Sequence, residues 1–393
     1  MAEEVVLHVG LPKTGTTFLQ TILWEHRELL ERRGLRYPGR RRLDHYNAFQ
    51  QVRRRSRGKP VDRADAAWDR LVGELAGWSG RGLVSHEFFS MCTEEEARAV
   101  VADLAPARVR VVVTVRGYVR QFPAMWQEAL KMHYDASFEQ FMTDALTGDG
   151  RRLKGAWGWA SQDVPAVLAR WSAAVGPEQV RVVTVPPPGG PRDTLWRRWC
   201  EAVDLDPTGF DLDVTYPNES MGAAQCALLH ELKPALTGPL LDGPTRHRWV
   251  RRYFGHEVLV PQGGTRFAPR PAQREALLAR AREAVAAVEA GGYPVVGDLA
   301  DLLDPGLPAG AAEPLHPDDV TAEQQLAVAV TALDRMIRDV AALTEERDHW
   351  RSVARRRTAS GVADGVRGRL GGRAGRGRRG RRSDHEREQE GEA

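Results

Sequence analysis

Residues 5–17, VVLHVGLPKTGTT, place an apolar, β-branched run directly before a loop holding two glycines and one lysine. The following FLQTILWEH has helical spacing, with Phe18, Ile22 and Leu23 on or near one stripe. A strand, a tight loop and a helix in that order aim backbone N–H groups and the positive end of a helix at an anion, and a phosphate is the expected ligand. The lysine separates the nucleotide-binding families. The Walker A loop reads GxxxxGK[ST], whereas here Gly15 is followed by Thr16 and Lys13 lies two residues before the glycine. The ATPase and GTPase pattern is absent. An ordinary strand-to-helix turn with a surface lysine would account for Gly10 and Gly15. It gives no reason for Lys-Thr-Gly-Thr-Thr running straight into a hydrophobic helix. The threonines could also serve as helix N-caps.

Pro12–Thr17, PKTGTT, resembles the 5'-phosphosulfate loop of the sulfotransferases that use 3'-phosphoadenosine 5'-phosphosulfate. The resemblance implies that Pro12 opens the loop and that the amides of Thr14, Gly15, Thr16 and Thr17 hold the 5'-phosphate. Lys13 would approach the oxygen bridging phosphate and sulfate, where a fixed ammonium stabilises charge on the departing phosphate. The Thr16 and Thr17 hydroxyls would add charge-assisted hydrogen bonds. A second family element, an arginine after a later strand with a serine eight residues on, grips the 3'-phosphate. VVVTVRGYVRQFPAMW supplies Arg116 in that place, but the serine position is Ala124. Trp126 keeps the aromatic two residues further on, which supports the register. The missing hydroxyl removes a ligand worth about 1–2 kcal/mol, and Arg120, on the same helical face, is expected to compensate. In carbohydrate and protein-tyrosine members a glutamate after a strand is the general base, and Glu87 in VSHEFF resembles it. Its phenylalanine neighbours are expected to dry the site and raise its pKa. His45 is the alternative base, since small-molecule members use histidine. His86 should point to the other side, and His8, inside the first strand, is expected to be structural. Gln262–Arg266, QGGTR, is the local counterpart of the C-terminal loop that closes the cofactor site, with Arg266 reaching a phosphate.

The function implied is transfer of a sulfuryl group from 3'-phosphoadenosine 5'-phosphosulfate to a hydroxyl of a carbohydrate or small-molecule acceptor, releasing 3',5'-bisphosphoadenosine without a metal. Trp157, Trp159, Tyr46 and Phe88 could stack on such an acceptor or belong to the core. A P-loop-like kinase is one alternative. It predicts a lysine directly before the loop threonine and an acidic Mg²⁺ ligand at a strand end, and Thr16 and TVRG offer neither. A non-catalytic anion- or nucleic-acid-binding protein using its basic tail is the other.

These residues need an α/β frame. Val5–Val9, Gly82–Ser85, Val109–Val115 and Val180–Val185 read as strands. Thr17 to about Arg33, Ala64–Trp78, Glu94–Leu104, Arg120–Met132, Phe138–Ala145, Leu195–Val203, Ser220–Leu232 and Gln273–Ala290 read as helices. Arg40 to Pro60 reads as a short helix with a substrate-facing loop. The expected architecture is a P-loop-like three-layer fold, a mostly parallel sheet covered by helices, over residues 1–312. Three scattered cysteines suit a reducing compartment. No basic and apolar leader precedes the first strand and no apolar run reaches spanning length, so a cytoplasmic protein is expected.

Beyond the body, 313–355 is expected to be a helical extension. Leu326, Val330, Leu333, Ile337 and Val340 follow a 4,3,4,3 spacing, a short possible coiled coil through which the chain could self-associate. Thr344 and Arg347 then interrupt the register. Residues 356–393, rich in Arg and Gly with an acidic end, are expected to be disordered and to contact polyanions nonspecifically. Residues 351–393 carry thirteen arginines against six acidic side chains, a net of +7. The first 350 residues are therefore near −4 within a total of +3.

Overall fold

The computed structural model describes residues 2–60, 66–132, 134–147, 153, 158–213, 220–303 and 314–371, with side chains through 356. Six strands form one all-parallel sheet: β1 (Glu4–His8), β2 (Leu35–Arg36), β3 (Arg81–Ser85), β4 (Arg108–Val115), β5 (Val180–Thr184) and β6 (Val295–Val296), in the order β2-β3-β1-β4-β5-β6. The four expected strands form its centre. The edge strands β2 and β6 are two residues each, too short to carry a period in sequence.

Helices supply the crossovers that parallel strands require. They are α1 (Thr16–Glu25), α2 (Arg27–Arg32), α3 (Asp44–Ser56), α4 (Ala67–Ala76), α5 (Glu94–Asp103), α6 (Tyr118–Lys131), α7 (Phe138–Thr147), α8 (Val164–Val175), α9 (Thr194–Ala202), α10 (Ala223–Leu232), α11 (Gly243–Arg246) and α12 (Pro271–Ala290). Helices cover both faces of the sheet, giving three layers. On one face Val6, Leu83, Val112 and Val183 pack against Leu19, Ile22 and Leu23 of α1 and Trp196 and Trp199 of α9. On the other, α8 lies on β4 and β5 with α5 against it.

The single helix expected over 17–33 is two. His26 ends α1 by turning its Nδ1 to the Ile22 carbonyl (2.9 Å), and α2 restarts beyond it. In the arginine-rich stretch after residue 40, the expected short helix is α3, which runs for thirteen residues. Asp44 stabilises its entry by accepting from the Arg40 and Arg41 amides at 2.9 and 3.2 Å. A π-helix over His247–Leu259 had no counterpart in the sequence reading.

The chain divides into two compact units, 1–331 and 332–393, so the division falls after Thr331 rather than at 312. The reason is local. Asp318 accepts from the Phe138 and Glu139 amides at the start of α7 (3.1 and 3.0 Å), and Asp319 pairs with Arg270 at 2.8 Å. Residues 314–320 therefore belong to the body. Helix α13 (Ala322–Gly371) crosses the division and supplies the described part of the second unit. It runs past the expected limit of 355. Residues 372–393 of the expected tail lie outside the described residues. Leu326, Val330, Leu333, Ile337 and Val340 are exposed. Among the described residues no helix is long and apolar enough to cross a membrane.

Candidate active site

β3, β1 and β4 are adjacent and parallel, so the segments leaving them emerge along one edge of the sheet. The loop 9–15 follows β1, Glu87 follows β3 and Arg116 follows β4. From β1 the chain crosses toward β2, and from β4 toward β5. The connections diverge between β1 and β4, the position at which open α/β sheets form a binding crevice.

A buried polar relay fixes the loop from below. His8 pairs in register with Ser85 and Val112. Its Nδ1 lies 2.8 Å from Ser85 Oγ and its Nε2 3.3 Å from Thr114 Oγ1. Thr114 shares a 2.8 Å hydrogen bond with Thr14 Oγ1, which donates to the Leu11 carbonyl at 2.6 Å. Burial pushes the His8 pKa down to about 4, so the ring is neutral and can both donate and accept. This is the structural role expected for it. Gly10 lies over the relay, where a Cβ would come within 2.5 Å of Thr114 Oγ1. Gly15 takes a left-handed φ of 83°, and Lys13 does so at 68°. For a residue other than glycine that conformation costs about 1–2 kcal/mol, and neighbours hold it. Arg116 donates to the Lys13 carbonyl at 3.1 Å, and Gln121 donates to the Pro12 carbonyl at 2.7 Å.

The first turn of α1 has no side-chain cap and no acidic residue, which suits an anion at its N-terminus. Of the two hydroxyls expected to reach that anion, the one on Thr16 is engaged elsewhere. The Thr14 hydroxyl turns down into the relay, and Thr16 is buried with its hydroxyl bonded to Glu87.

Arg116 is half-buried, and its Nε, which is buried, has no hydrogen-bond partner. Burial, with Arg120 and Arg266 nearby, brings its pKa down to about 10. Among the described residues neither Arg116 nor Arg266 has a carboxylate partner. Two like charges beside a half-buried guanidinium make a site suited to an anion. Arg120 is committed elsewhere, donating to the carbonyls of Pro186 (3.0 Å) and Asp301 (3.1 Å). It ties the segments after β5 and β6 to α6, so the geometry gives no support to its replacing the hydroxyl absent at Ala124. The QGGTR segment reaches this region through Gly263 and Gly264, both at positive φ.

On the β3 side, Glu87 opens a short 3₁₀ turn, and its Oε2 accepts from Gln20 Nε2 at 3.1 Å. Burial works to raise its pKa. His86, its own amide, Gln20 and Thr16 work the other way, and the carboxyl ends below its usual range rather than above it as expected. His86 Nδ1 accepts from the Phe88 amide at 3.1 Å, which leaves that ring neutral, so the hydrogen bonds dominate. His45 is buried and stacked on Tyr37 at 4.4 Å. Its Nε2 donates to the Pro38 carbonyl (2.9 Å) and its Nδ1 accepts from the Ser85 amide (3.3 Å). Both nitrogens are occupied, and burial lowers its pKa to about 3. Half-buried Tyr46, His86 and Phe88 pack together beside Glu87, with centroids 4.9–5.8 Å apart. Half-buried Trp159 instead stacks on Phe122, and Trp157 lies outside the described residues.

On the α6 side stands a group that sequence reasoning missed. Glu128 accepts from Lys13 (3.2 Å), Lys131 (3.2 Å) and Arg251 (2.7 Å). Burial raises its pKa, but the three cations outweigh that and hold the carboxyl far below the usual range. The signal was present in part. Residues 120, 124, 128 and 131 follow a 4,4,3 spacing on one face of α6, and three of them, Arg120, Glu128 and Lys131, are charges within a largely apolar helix. Arg251 comes from the π-helix, which no local pattern announced.

No protein-family model matches the chain, and no curated protein matches it. Among solved structures, a sulfotransferase from Alicyclobacillus acidocaldarius is similar over 56% of this chain and 87% of its own, at 16% identity and a TM-score of 0.39.

Proposed function

We propose that the protein transfers a sulfuryl group from 3'-phosphoadenosine 5'-phosphosulfate to a hydroxyl of a carbohydrate or small-molecule acceptor. One observation carries the reading: the loop with Lys13, Arg116 with its unpartnered buried Nε, and Glu87 share one edge of three adjacent strands. The uncapped start of α1 and the Arg116–Arg266 pair fit a ligand with anionic groups at two ends. When bound, the donor supplies an activated sulfuryl group and a phosphate leaving group.

The chain's own residues divide the work. The amides of residues 14–17 and the Lys13 ammonium bind and neutralise the leaving phosphate. Arg116 and Arg266 hold the second phosphate. Glu87, ionised at neutral pH, accepts the proton of the acceptor hydroxyl, and Gln20 and Thr16 orient its carboxylate. Tyr46, His86 and Phe88 offer ring faces to an acceptor. A low-pKa carboxylate is a weak base, so proton removal should accompany sulfuryl transfer rather than precede it.

Calorimetric titration with 3',5'-bisphosphoadenosine, and separately with ATP and Mg²⁺, tests the reading. Binding of the bisphosphate in clear preference is expected, and preference for ATP would overturn it. Lys13→Ala should lower transfer of labelled sulfate by roughly 10²-fold.

A further inference from the structure

We infer that Glu128 is a positioning residue, an internal carboxylate that competes with the donor's anionic groups for the Lys13 ammonium. The inference rests on the assignment of Lys13 given above. Three cations converge on this one carboxylate, so the cluster keeps a surplus of two positive charges beside the loop. The three are not equally held. Lys13 is 33% exposed, against 6% for Lys131 and 25% for Arg251. Lys13 also shares Oε2 with Lys131, whereas Arg251 has Oε1 to itself.

Two consequences follow. When Lys13 leaves, Glu128 keeps two close cations, so detaching the ammonium does not strand a buried charge, the step that makes breaking an internal ion pair costly. The Lys13 backbone, in contrast, is pinned, with Arg116 on its own carbonyl and Gln121 on the carbonyl before it. Only the side chain is free to swing, between Glu128 and the mouth of the loop. His256 Nε2 lies 3.4 Å from Lys131 Nζ, and His247 Nε2 lies 3.2 Å from Arg251. Burial first, then Lys131 and Arg251, bring the His256 pKa down to about 4; burial and Arg251 lower that of His247. Neither adds charge at neutral pH. Glu128 is the one carboxylate in the cluster among the described residues, and it is ionised throughout the working range.

Glu128→Gln retains the shape and removes the competing charge. The variant should bind 3',5'-bisphosphoadenosine and inorganic pyrophosphate more tightly than the parent, by about tenfold, equivalent to about 1.4 kcal/mol. The gain should shrink as salt rises. Sulfate transfer should slow, because Lys13 has lost its resting partner and product is retained. A carboxylate that only supports the fold predicts the opposite sign, weaker binding of both anions. Unchanged or weaker pyrophosphate binding by a folded Glu128→Gln protein would overturn the inference. If that variant does not fold, Glu128→Asp decides, since it keeps the charge but draws it back from Lys13. Tighter binding than the parent supports the inference, and equal or weaker binding, or failure of both variants to fold, overturns it. The assignment of the donor fails separately. A parent protein that ignores bisphosphoadenosine while Glu128→Gln tightens pyrophosphate binding refutes the donor and leaves the competition standing.

Discussion

Two carboxylates flank the loop after β1, and their surroundings differ in kind. Glu87, on the β3 side, is held by neutral donors: an amide side chain, a hydroxyl and its own backbone N–H. Glu128, on the α6 side, is held by three cations. Both end with lowered pKa values, yet the means matter more than the direction. Neutral donors leave the net charge of Glu87 uncancelled and available to an incoming proton. Cations cancel the charge of Glu128 and make it an anchor. A carboxylate among neutral hydrogen bonds can take part in chemistry, whereas one surrounded by ammonium and guanidinium groups governs where those groups sit.

The sharpest way to break this comparison is to neutralise each carboxylate in turn. Glu87→Gln should lower turnover by about 10²-fold or more, within the usual range for a general base, and leave the bisphosphoadenosine Kd within about twofold. Glu128→Gln should move Kd first, in the tightening direction. If Glu87→Gln is as active as the parent, the proton acceptor lies elsewhere. His45 is a poor substitute because both its nitrogens are committed, and a silent His45→Ala change in turnover would agree with that.

A smaller effect sharpens the same contrast. Thr16→Val removes one donor from Glu87 and should raise its pKa, shifting the acid limb of the rate profile to higher pH. For the parent, turnover should stay flat through about pH 6.5, where an ordinary histidine titrates. A single-proton fall there would assign the base to a histidine. Stability follows a different course. His8 and His45 are held neutral, at about 4 and about 3, against about 6.5 in the unfolded chain. Below that value the unfolded state binds more protons, so stability should decline as pH falls from about 6.5 toward 4. Tm measured across that interval checks the sign, and a constant Tm would show that neither ring is protected.

The parts of this arrangement that were legible in sequence are those written locally. PKTGTT follows an apolar run, Arg116 directly follows a β-branched strand, and Glu87 sits at the end of a short one. The misreadings share a cause. His45 was an alternative base only by analogy with members that use histidine, yet Asp44 starts a helix and the imidazole packs inward on Tyr37. The Glu87 pKa was expected to rise from its phenylalanine neighbours, but His86, its own amide and hydrogen bonds from Gln20 and Thr16, 67 and 71 residues away in sequence, together bring it down. Glu128 could not be assigned without Arg251, 123 residues further on, in a helix type that leaves no readable period. The proposed donor and acceptor chemistry rests on a few positions, while the charges around them arrive from distant segments.

The smallest expected effect concerns the C-terminal helix. Both flanks of the loop belong to the first unit, as do Asp318 and Asp319. Cutting the chain after Thr331 should therefore leave the bisphosphoadenosine Kd within about twofold, and the contrast between Glu87 and Glu128 intact. Cutting after Pro317 is different. It removes the carboxylate that accepts from two amides at the start of α7, a cap worth roughly 1 kcal/mol, and Arg270 loses one of its two ion-pair partners. That protein should melt several degrees lower while still binding the bisphosphate. Within the helix, the first cut should alter the exposed seam, from which it removes Leu333, Ile337 and Val340. Light scattering should give a larger subunit number for the full chain than for residues 1–331. Equal numbers would show that the seam does not pair chains, and a loss of bisphosphate binding in residues 1–331 would show that the site extends beyond the first unit.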